Sequence, residues 1–549
     1  SSVFAAMSVT VRSNSYRSRR AMQPQCPSKS IDLPKPTAVT LRLIMAWVLI
    51  GWGSHWAGQP GHGLAWADEK GSESESSRPN ILFLFGDDQR SDTIAAWGND
   101  RIKTPNLDAL VRSGISFRRN YCFGSRHGAV CQPSRAMLMS GRHLFHIDDA
   151  ISNAMTFPQL LRQHGYTTFA VGKWHNGLPS LARSFAGGKS IMMGGMSDHT
   201  RVPLHDLEKS GELINQRTGE KRLAEMFADA AVEFLSNYRS DDPFLCYVAF
   251  TSPHDPRDPP ESDREYYYQH RPSLPNNFLP QHPFDNGQLV LRDENLAPWP
   301  RTTSVISDQL AEYYGMITHL DAQIGRVLQA LHNSPFAENT IVIYAADHGL
   351  AVGSHGLLGK QSLYEHSMQC PLIMVGPGIA PGTSTYAMTY LYDIFPTICD
   401  FTHVTAPDEL DGKSLAPIVS DPSTTVRDSI MLAYRDLMRA VRDDRWKLIV
   451  YPQINHRQLF DLAKDPDEMH DLAASPSHQS TLKHMANLLQ EWQTQVGDTL
   501  PWTVSNPRDK FRDLTGTKRT PDQWQPRWIV EKYFEGPDSS PNPVSNQEQ

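Results

Sequence analysis

Pro79-Asn80-Ile81-Leu82-Phe83-Leu84-Phe85-Gly86-Asp87-Asp88-Gln89 places five consecutive apolar residues between a Pro-Asn start and a Gly-Asp-Asp stop. A strand with one wet face alternates polar and apolar residues, so an unbroken run reads as a strand buried on both faces. Comparable runs lie at 168–171, 244–250, 341–345 and 372–375, and helical patterns alternate with them at 106–113, 157–164, 223–237 and 309–332. Strand and helix in repetition predict an α/β domain, a large mostly parallel or mixed sheet sandwiched by helices. Residues 253–303, crowded with Pro, Asp and aromatics, read as long ordered loops. From about 428 the texture changes to short strand-like pieces at 439–443, 447–451 and 457–460, then a helix at 480–495. That predicts a smaller carboxy-terminal α+β domain over 428–549 with an antiparallel sheet, beside a main domain over 78–427. The tail after Trp502 is Pro-rich and polar, and is expected to wrap or fray.

The 549 residues include 52 Lys or Arg and 60 Asp or Glu, a formal net charge of −8. With 39% hydrophobic and 20% charged residues, the chain is neither wholly disordered nor a coiled coil. Its mild acidity argues against nucleic acid as a partner, because counterion release needs a basic face. The first 42 residues are basic and Ser-rich; then Leu43 to Trp52 forms a ten-residue apolar run, followed by Ala65-Trp66-Ala67. A basic region, a short apolar core and an A-x-A site predict a signal peptide over residues 1–67, cleaved before Asp68. Ten residues are too few to cross a bilayer core, which takes about 20. The expected product is exported, periplasmic or extracellular, with no membrane span after cleavage. Losing seven basic residues and one acidic residue leaves 45 against 59, a net charge of −14.

Polar, ionisable clusters follow the apolar runs. Gly86-Asp87-Asp88-Gln89 follows the first, Gly172-Lys173-Trp174-His175 the run at 168–171, Ser252-Pro253-His254 that at 244–250, and Asp347-His348-Gly349 that at 341–345. Ligands of open α/β sheets sit outside the carboxyl ends of the strands, so the four clusters would converge on one crevice. Each alone has an ordinary reading: an Asp-Asp after a strand is commonly a turn or a helix cap. Six cysteines in a chain this long do not make a disulfide scaffold. Cys131, in Cys131-Gln132-Pro133-Ser134-Arg135, can be a buried structural residue, half of a disulfide or a nucleophile.

Cys-x-Pro-Ser-Arg closed by Ser140-Gly141-Arg142 strongly resembles the signature that directs oxidation of a cysteine to formylglycine in type I sulfatases, of the alkaline phosphatase-like superfamily. The Asp-Asp, Gly-Lys-Trp-His, Ser-Pro-His and Asp-His-Gly segments occur in that family's order, as do His355-Gly356 with Lys360, and 458–462 with 465–468 look like its carboxy-terminal signature. The resemblance covers roughly residues 78 to 475 and extends to iduronate-2-sulfatase-type and bacterial polysaccharide sulfatases. It implies an alkaline phosphatase-like fold and hydrolysis of a sulfuric ester, with a sulfated carbohydrate as the expected substrate. Asp87, Asp88, Asp347 and His348, with the hydrate made from Cys131, would hold Ca²⁺, the family's usual ion, or Mg²⁺. Many members carry Asn at the position of His348, and the His variant is familiar in enzymes similar to iduronate-2-sulfatase.

In the mechanism the resemblance implies, one hydroxyl of the hydrate attacks sulfur, the alcohol leaves, and loss of the second hydroxyl's proton expels sulfate and restores the aldehyde. Arg135 and Lys173 would steady the hydrate and His175 would be the base. His254 and Lys360 would bind sulfate oxygens and assist the leaving oxygen. A maturation enzyme that generates formylglycine is an implied partner. Two rivals stand: a phosphonate or phosphodiester hydrolase of the same superfamily, and a non-catalytic glycan-binding relative if Cys131 stays unconverted. His127, His143, His319 and His366 could touch substrate, but most of 22 histidines must be surface or structural. Cys122, Cys246, Cys370 and Cys399 could pair, and Tyr266, Tyr267, Tyr268 and Trp299 could stack on sugars or simply pack their loops.

Overall fold

The structure is a computed structural model that describes residues 78–536, so the expected signal peptide lies outside the described residues. Fifteen strands are described, in chain order β1 (Asn80–Gly86), β2 (Ile115–Tyr121), β3 (Gly124–Ser125), β4 (Thr167–Lys173), β5 (Gly187–Met192), β6 (Pro203–Leu207), β7 (Leu213–Thr218), β8 (Phe244–Ala249), β9 (Thr340–Ala346), β10 (Leu372–Val375), β11 (Thr383–Tyr390), β12 (Ile430–Tyr434), β13 (Met438–Arg442), β14 (Trp446–Tyr451) and β15 (His456–Asp461). Ten form one sheet in the order β11-β2-β10-β9-β1-β8-β4-β5-β6-β7, and five form a second in the order β15-β14-β13-β12-β3. Both the large mixed sheet and the smaller sheet are as expected.

At the centre of the large sheet, β1 pairs in parallel with β8 and β9, and β8 with β4. Every residue of β1 is buried, and the alternation of its side chains shows why the run is unbroken. Ile81, Phe83 and Phe85 enter one hydrophobic cluster, while Leu82 and Leu84 enter another with Phe227, Leu320 and Ile324 of the helices Leu223–Asn237 and Thr303–His332. Helices therefore cover both faces, and neither face tolerates a polar residue.

The run at 372–375 is a strand, but it lies antiparallel to β9. The connection from 347 to 371 is long enough for a crossover but holds only loops and the four-residue helical turn Glu365–Met368, with no helix laid along the sheet to carry the chain back to the other end. Strands β5 to β7, at one end of the sheet, carry half-exposed positions and so no apolar run announces them. The loops at 253–303 contain the helix Glu261–Gln269, whose only buried residue is Tyr267; a helix that buries so little shows no apolar period. The tail after Trp502 wraps: Leu514, Ile529 and Tyr533 are buried. Among the described residues no helix is long and apolar enough to cross a membrane, and the described cysteines are all buried and free. Burial pushes the thiols of Cys122 and Cys399 up to about 12.

The sheets share one core, since the cluster that holds Ile81 and Phe83 continues to Leu432, Leu448 and Leu459. A buried ionic knot also joins them. Tyr121 of β2 donates to Glu365 Oε2 (2.6 Å), Arg442 of β13 reaches the same oxygen (2.7 Å), and Lys447 of β14 reaches Oε1 (2.9 Å). Burial pushes the Glu365 carboxyl up, but Lys447 and Arg442 outweigh it and hold it down at about 2. A carboxyl depressed on folding adds stability above its unfolded value, and loses it as pH falls towards the folded one. The acid limb of stability should therefore lie between the usual 4.5 and about 2, and Glu365→Gln should flatten it in urea titrations across that range. Glu365→Ala, which leaves two buried cations short of a partner, should cost about 3–5 kcal/mol by the same measurement.

Candidate active site

Because β1, β4, β8 and β9 run in one direction, the clusters that follow them meet at one edge of the sheet. Asp87 and Asp88 follow β1, Lys173 ends β4 with His175 just beyond, His254 lies past β8, and Asp347 and His348 follow β9. Backbone bonds stitch the strand ends together: Asp87 N–H donates to Ser252 O (3.2 Å) and Asp347 N–H to Gly86 O (3.3 Å).

Cys131 opens the helix Cys131–Ser140, which is buried almost throughout. Residues three and four apart share a helix face, so Cys131, Ser134 and Arg135 present one surface to the strand ends. Ser134 Oγ donates to Asp347 O (2.8 Å), and Arg135 Nη2 lies 3.4 Å from Asp347 Oδ2 and 3.5 Å from Asp87 Oδ1. Cys131 Sγ is 3.4 Å from His175 Nδ1 and 3.6 Å from Lys173 Nζ. Lys173 Nζ donates to Asp87 Oδ2 (2.6 Å), and Lys360 Nζ to both oxygens of Asp88 (2.8 and 2.9 Å). His254 directs Nε2 at Asp88 Oδ2 (3.8 Å) while its Nδ1–H donates to Asp255 O (2.7 Å). All ten predicted site residues stand in one assembly.

Two of them hold unusual backbone. Asp88 and His175 have φ of 66° and 71°, left-handed values that a side chain makes costly and that cluster at functional sites. Gly195 lies against the His175 ring, where a Cβ would come within 2.4 Å of Cε1 and Nε2; only glycine lets that loop cover the imidazole.

The charges pull on one another strongly. Burial pushes the Asp87 carboxyl up, but Lys173 and Arg135 outweigh it and hold it well below the usual range. Asp347 goes the other way: burial and the neighbouring Asp87 push it well above that range. Burial raises the Cys131 thiol, but Lys173 brings it below its ordinary value. His175 is lowered to about 3 by burial and by the cations Lys173 and Arg135, so its ring is neutral.

Ligand-bearing atoms of Asp88, Asp347 and His348 lie within 4.8 Å of one another, as do those of Asp87, Cys131 and Asp347. Asp87 Oδ1 and His348 Nε2 are buried with no hydrogen-bond partner. A carbonyl only accepts, so the bond of His348 Nδ1 to Gly349 O (2.9 Å) puts a proton on Nδ1, and a cation would be held by Nε2. Outer bonds of this kind orient metal-binding histidines. The carboxylate oxygens suit a hard divalent cation, whereas the imidazole nitrogen of His348 is a ligand more usual for softer metals.

The assembly opens on a cavity of about 520 Å³ lined by Cys131, His175, His254 and Lys360. It is also lined by Arg292, Asp293, Gln361 and Trp524, which no sequence motif marks; only Gln361, next to Lys360, offered a hint. The other histidine candidates stand apart from it. His127 pairs with Asp149 (2.9 Å), His143 stacks on His146 at 3.9 Å, and His319 and His366 line none of it. The candidate aromatics pack their own surroundings: Tyr267 and Trp299 are buried, Tyr268 donates to Glu312 (2.6 Å), and Tyr266 stacks on His270. His355 also serves structure, stacking on Tyr364 at 3.9 Å with Nε2 against Glu468 O (3.0 Å).

Comparison with known proteins points to one family. Residues 79–404 match the family model described as sulfatase, and residues 353–495 match that of the carboxy-terminal region of N-sulphoglucosamine sulphohydrolase. An N-acetylglucosamine-6-O-sulfatase of Bacteroides thetaiotaomicron is 26% identical over 508 residues, covering 78% of this chain and 88% of its own. An arylsulfatase of Clostridium perfringens is 27% identical over 458 residues, covering 75% and 94%. Among solved structures, a protein in complex with its substrate D-glucosamine-2-N,6-O-disulfate superposes with a TM-score of 0.66 at 23% identity, covering 77% of this chain and 99% of that one. The phosphonate monoester hydrolase of Agrobacterium radiobacter has a TM-score of 0.61 at 22% identity, covering 76% and 96%, so the fold alone does not separate the two chemistries. With its family model matched over more than half its length and its strand-end clusters gathered around Cys131, the chain belongs to the sulfatase family of sulfuric ester hydrolases.

Proposed function

We propose that this sulfatase removes sulfate from a sulfated carbohydrate, with a formylglycine made from Cys131 as nucleophile and Ca²⁺, or alternatively Mg²⁺, in the carboxylate cluster. The observation that carries the reading is the meeting of Cys131 with Asp87, Asp88, Asp347, Arg135, Lys173 and Lys360 beside one cavity. The carbohydrate follows the Bacteroides relative, whose substrate is an N-acetylglucosamine 6-O-sulfate, and the structural neighbour bound to a disulfated glucosamine. The predicted signal peptide makes the periplasm or the medium outside the cell the place of action.

A sulfate monoester is an anion whose sulfur is shielded by oxygens. A catalyst must therefore offset charge, present a nucleophile and protonate the leaving oxygen. Asp87, Asp88, Asp347 and His348 would hold the cation, which supplies positive charge against the sulfate oxygens. The aldehyde hydrate of residue 131 supplies a hydroxyl for attack and a second one whose deprotonation releases sulfate. Lys173 and Arg135 orient that side chain from the Asp87 side. His175, at hydrogen-bond reach of the side-chain atom of residue 131, takes the proton there. Lys360 and His254 line the cavity and bind sulfate oxygens, and the His254 ring, steadied through Nδ1, gives a proton to the departing oxygen.

Cys131→Ala should abolish turnover while leaving the melting temperature near that of wild type; retained turnover would remove the nucleophile. Intact mass should show residue 131 lighter by about 18 daltons, one oxygen replacing a sulfur and two hydrogens, and an unshifted mass would mean an inactive, unconverted protein. Sulfate release from sulfated sugars should exceed turnover of aryl phosphodiesters on the same preparation, and the opposite preference would favour the phosphonate hydrolase reading. Chelation should lower the melting temperature and Ca²⁺ restore it, by about 2.7 kcal/mol of stability at a hundredfold excess over Kd. Asp347→Asn should abolish that response, and a wild type indifferent to both ions would rule out the ligand set.

A further inference from the structure

Residues 503–536 lie beyond both matched family regions, 79–404 and 353–495, yet they return to the active-site cavity. The end of the segment is firmly anchored. Ile529 and Tyr533 are buried in a cluster with Tyr267, Leu296 and Ile317. Tyr533 OH donates to Glu312 Oε1 (2.7 Å), Lys532 reaches Asp308 (2.6 Å), and Trp528 Nε1–H donates to Asp258 Oδ1 (3.0 Å). Upstream, Asp522 makes a turn by accepting Trp524 N–H on Oδ1 (2.8 Å), and Arg292 Nε donates to its Oδ2 (2.6 Å). That turn sets Trp524 in the wall of the cavity that Cys131, His175, His254 and Lys360 also line. Trp524 is half-buried, and its indole has no hydrogen-bond or ring partner among the described residues.

Arg292, on the same wall, is tied down but not used up. Its Nη1 pairs with Asp255 (2.5 Å) and Asp293 (3.3 Å), while its Nη2 is buried without a hydrogen-bond partner. A buried guanidinium nitrogen left unpaired costs free energy unless a ligand accepts from it. Asp255, which also takes the His254 Nδ1–H on its carbonyl, links this arginine to the sulfate end of the cavity. Three carboxylates already surround Arg292, so it offers a hydrogen bond without net attraction for another anion.

We propose that the segment Asp522–Gln525 completes the substrate cavity. Trp524 is the wall against which the sugar ring bearing the scissile sulfate lies, and Arg292 donates to a hydroxyl or acyl oxygen of that ring. A pyranose shows an apolar C–H face and a rim of oxygens, which matches an indole beside a fixed donor. The ring is one with no charge besides its sulfate. This inference rests on the sulfated-carbohydrate reading, and the experiment separates the two.

Full-length enzyme, matched for conversion of Cys131 by intact mass, is assayed for free sulfate on monosulfated monosaccharides, their disulfated counterparts and an aryl sulfate. Inhibition by inorganic sulfate reports on the sulfate pocket independently. Trp524→Ala should raise KM for the best monosulfated sugar about tenfold, the size of one aromatic contact, with kcat and inorganic-sulfate inhibition little changed. Trp524→Phe should recover most of the loss, and Asp522→Asn, which loosens the latch to Arg292, should move KM in the same direction as Trp524→Ala. An unchanged KM in Trp524→Ala, or an equal loss of inorganic-sulfate inhibition, would overturn the assignment while leaving the carbohydrate reading intact. A disulfated sugar turned over as well as the monosulfated one would overturn the neutral-ring part. Wild type active on the aryl sulfate but on no sugar would overturn the carbohydrate reading and this inference with it.

Discussion

Three carboxylates and three cations are buried side by side at the carboxyl edge of the large sheet, and the site depends on their mutual neutralisation. Asp87, Asp88, Asp347, Arg135, Lys173 and Lys360 are each at most 3% exposed. Removing one such ion from water costs several kcal/mol even after relaxation, and only close opposite charges offset it. Each cation therefore lies within 3.5 Å of a carboxylate. The pairing is uneven: Asp87 is held strongly ionised, whereas Asp347 is pushed towards its protonated form. Asp87 Oδ1 and His348 Nε2 are left without hydrogen-bond partners inside this cluster, and they belong to the proposed cation ligands.

The fold holds that cluster by geometry more than by any single contact. Parallel strands deliver Asp87, Lys173, His254 and Asp347 to one edge, and a buried helix brings Cys131, Ser134 and Arg135 over it on one face. The smaller sheet is bound to the larger by a shared core and by Glu365, so the loop from 347 to 371, which carries His348 and Lys360, is braced at both ends. The expected mature chain is strongly acidic. An anionic substrate is therefore drawn to a local positive pocket and not to the protein as a whole.

Much of this was legible in the residues. The buried strands announced themselves because a strand covered on both faces must be apolar throughout, as β1 is. The strand-end clusters could be read because four of them follow buried strands, at the end where open α/β sheets gather their ligands, although each alone could be a turn or a cap. Other elements gave weaker signals: β6, β7 and the helix Glu261–Gln269 bury few residues, and β5 buries Gly188 and Ser190 where an apolar run would be needed. The direction of β10 was not readable either, since it depends on how the loop before it returns.

The sequence by itself named the residues of the centre: a cysteine in a stretch that resembles the sulfatase processing signature, and acids, cations and imidazoles mostly placed after buried strands. Those residues are local to motifs; the unbroken strands predict where Asp87, Lys173, His254 and Asp347 gather, and the resemblance adds Cys131, Arg135 and Lys360. The tertiary structure decided the outer part of the cavity. Arg292 comes from a long loop and Trp524 from a polar tail, and the two lie 232 positions apart in the chain. They meet because Asp522 binds Arg292 and because Ile529 and Tyr533 bury themselves beside the helix Thr303–His332. No spacing or period encodes a contact of that kind, since it is set by long-range packing and one ion pair.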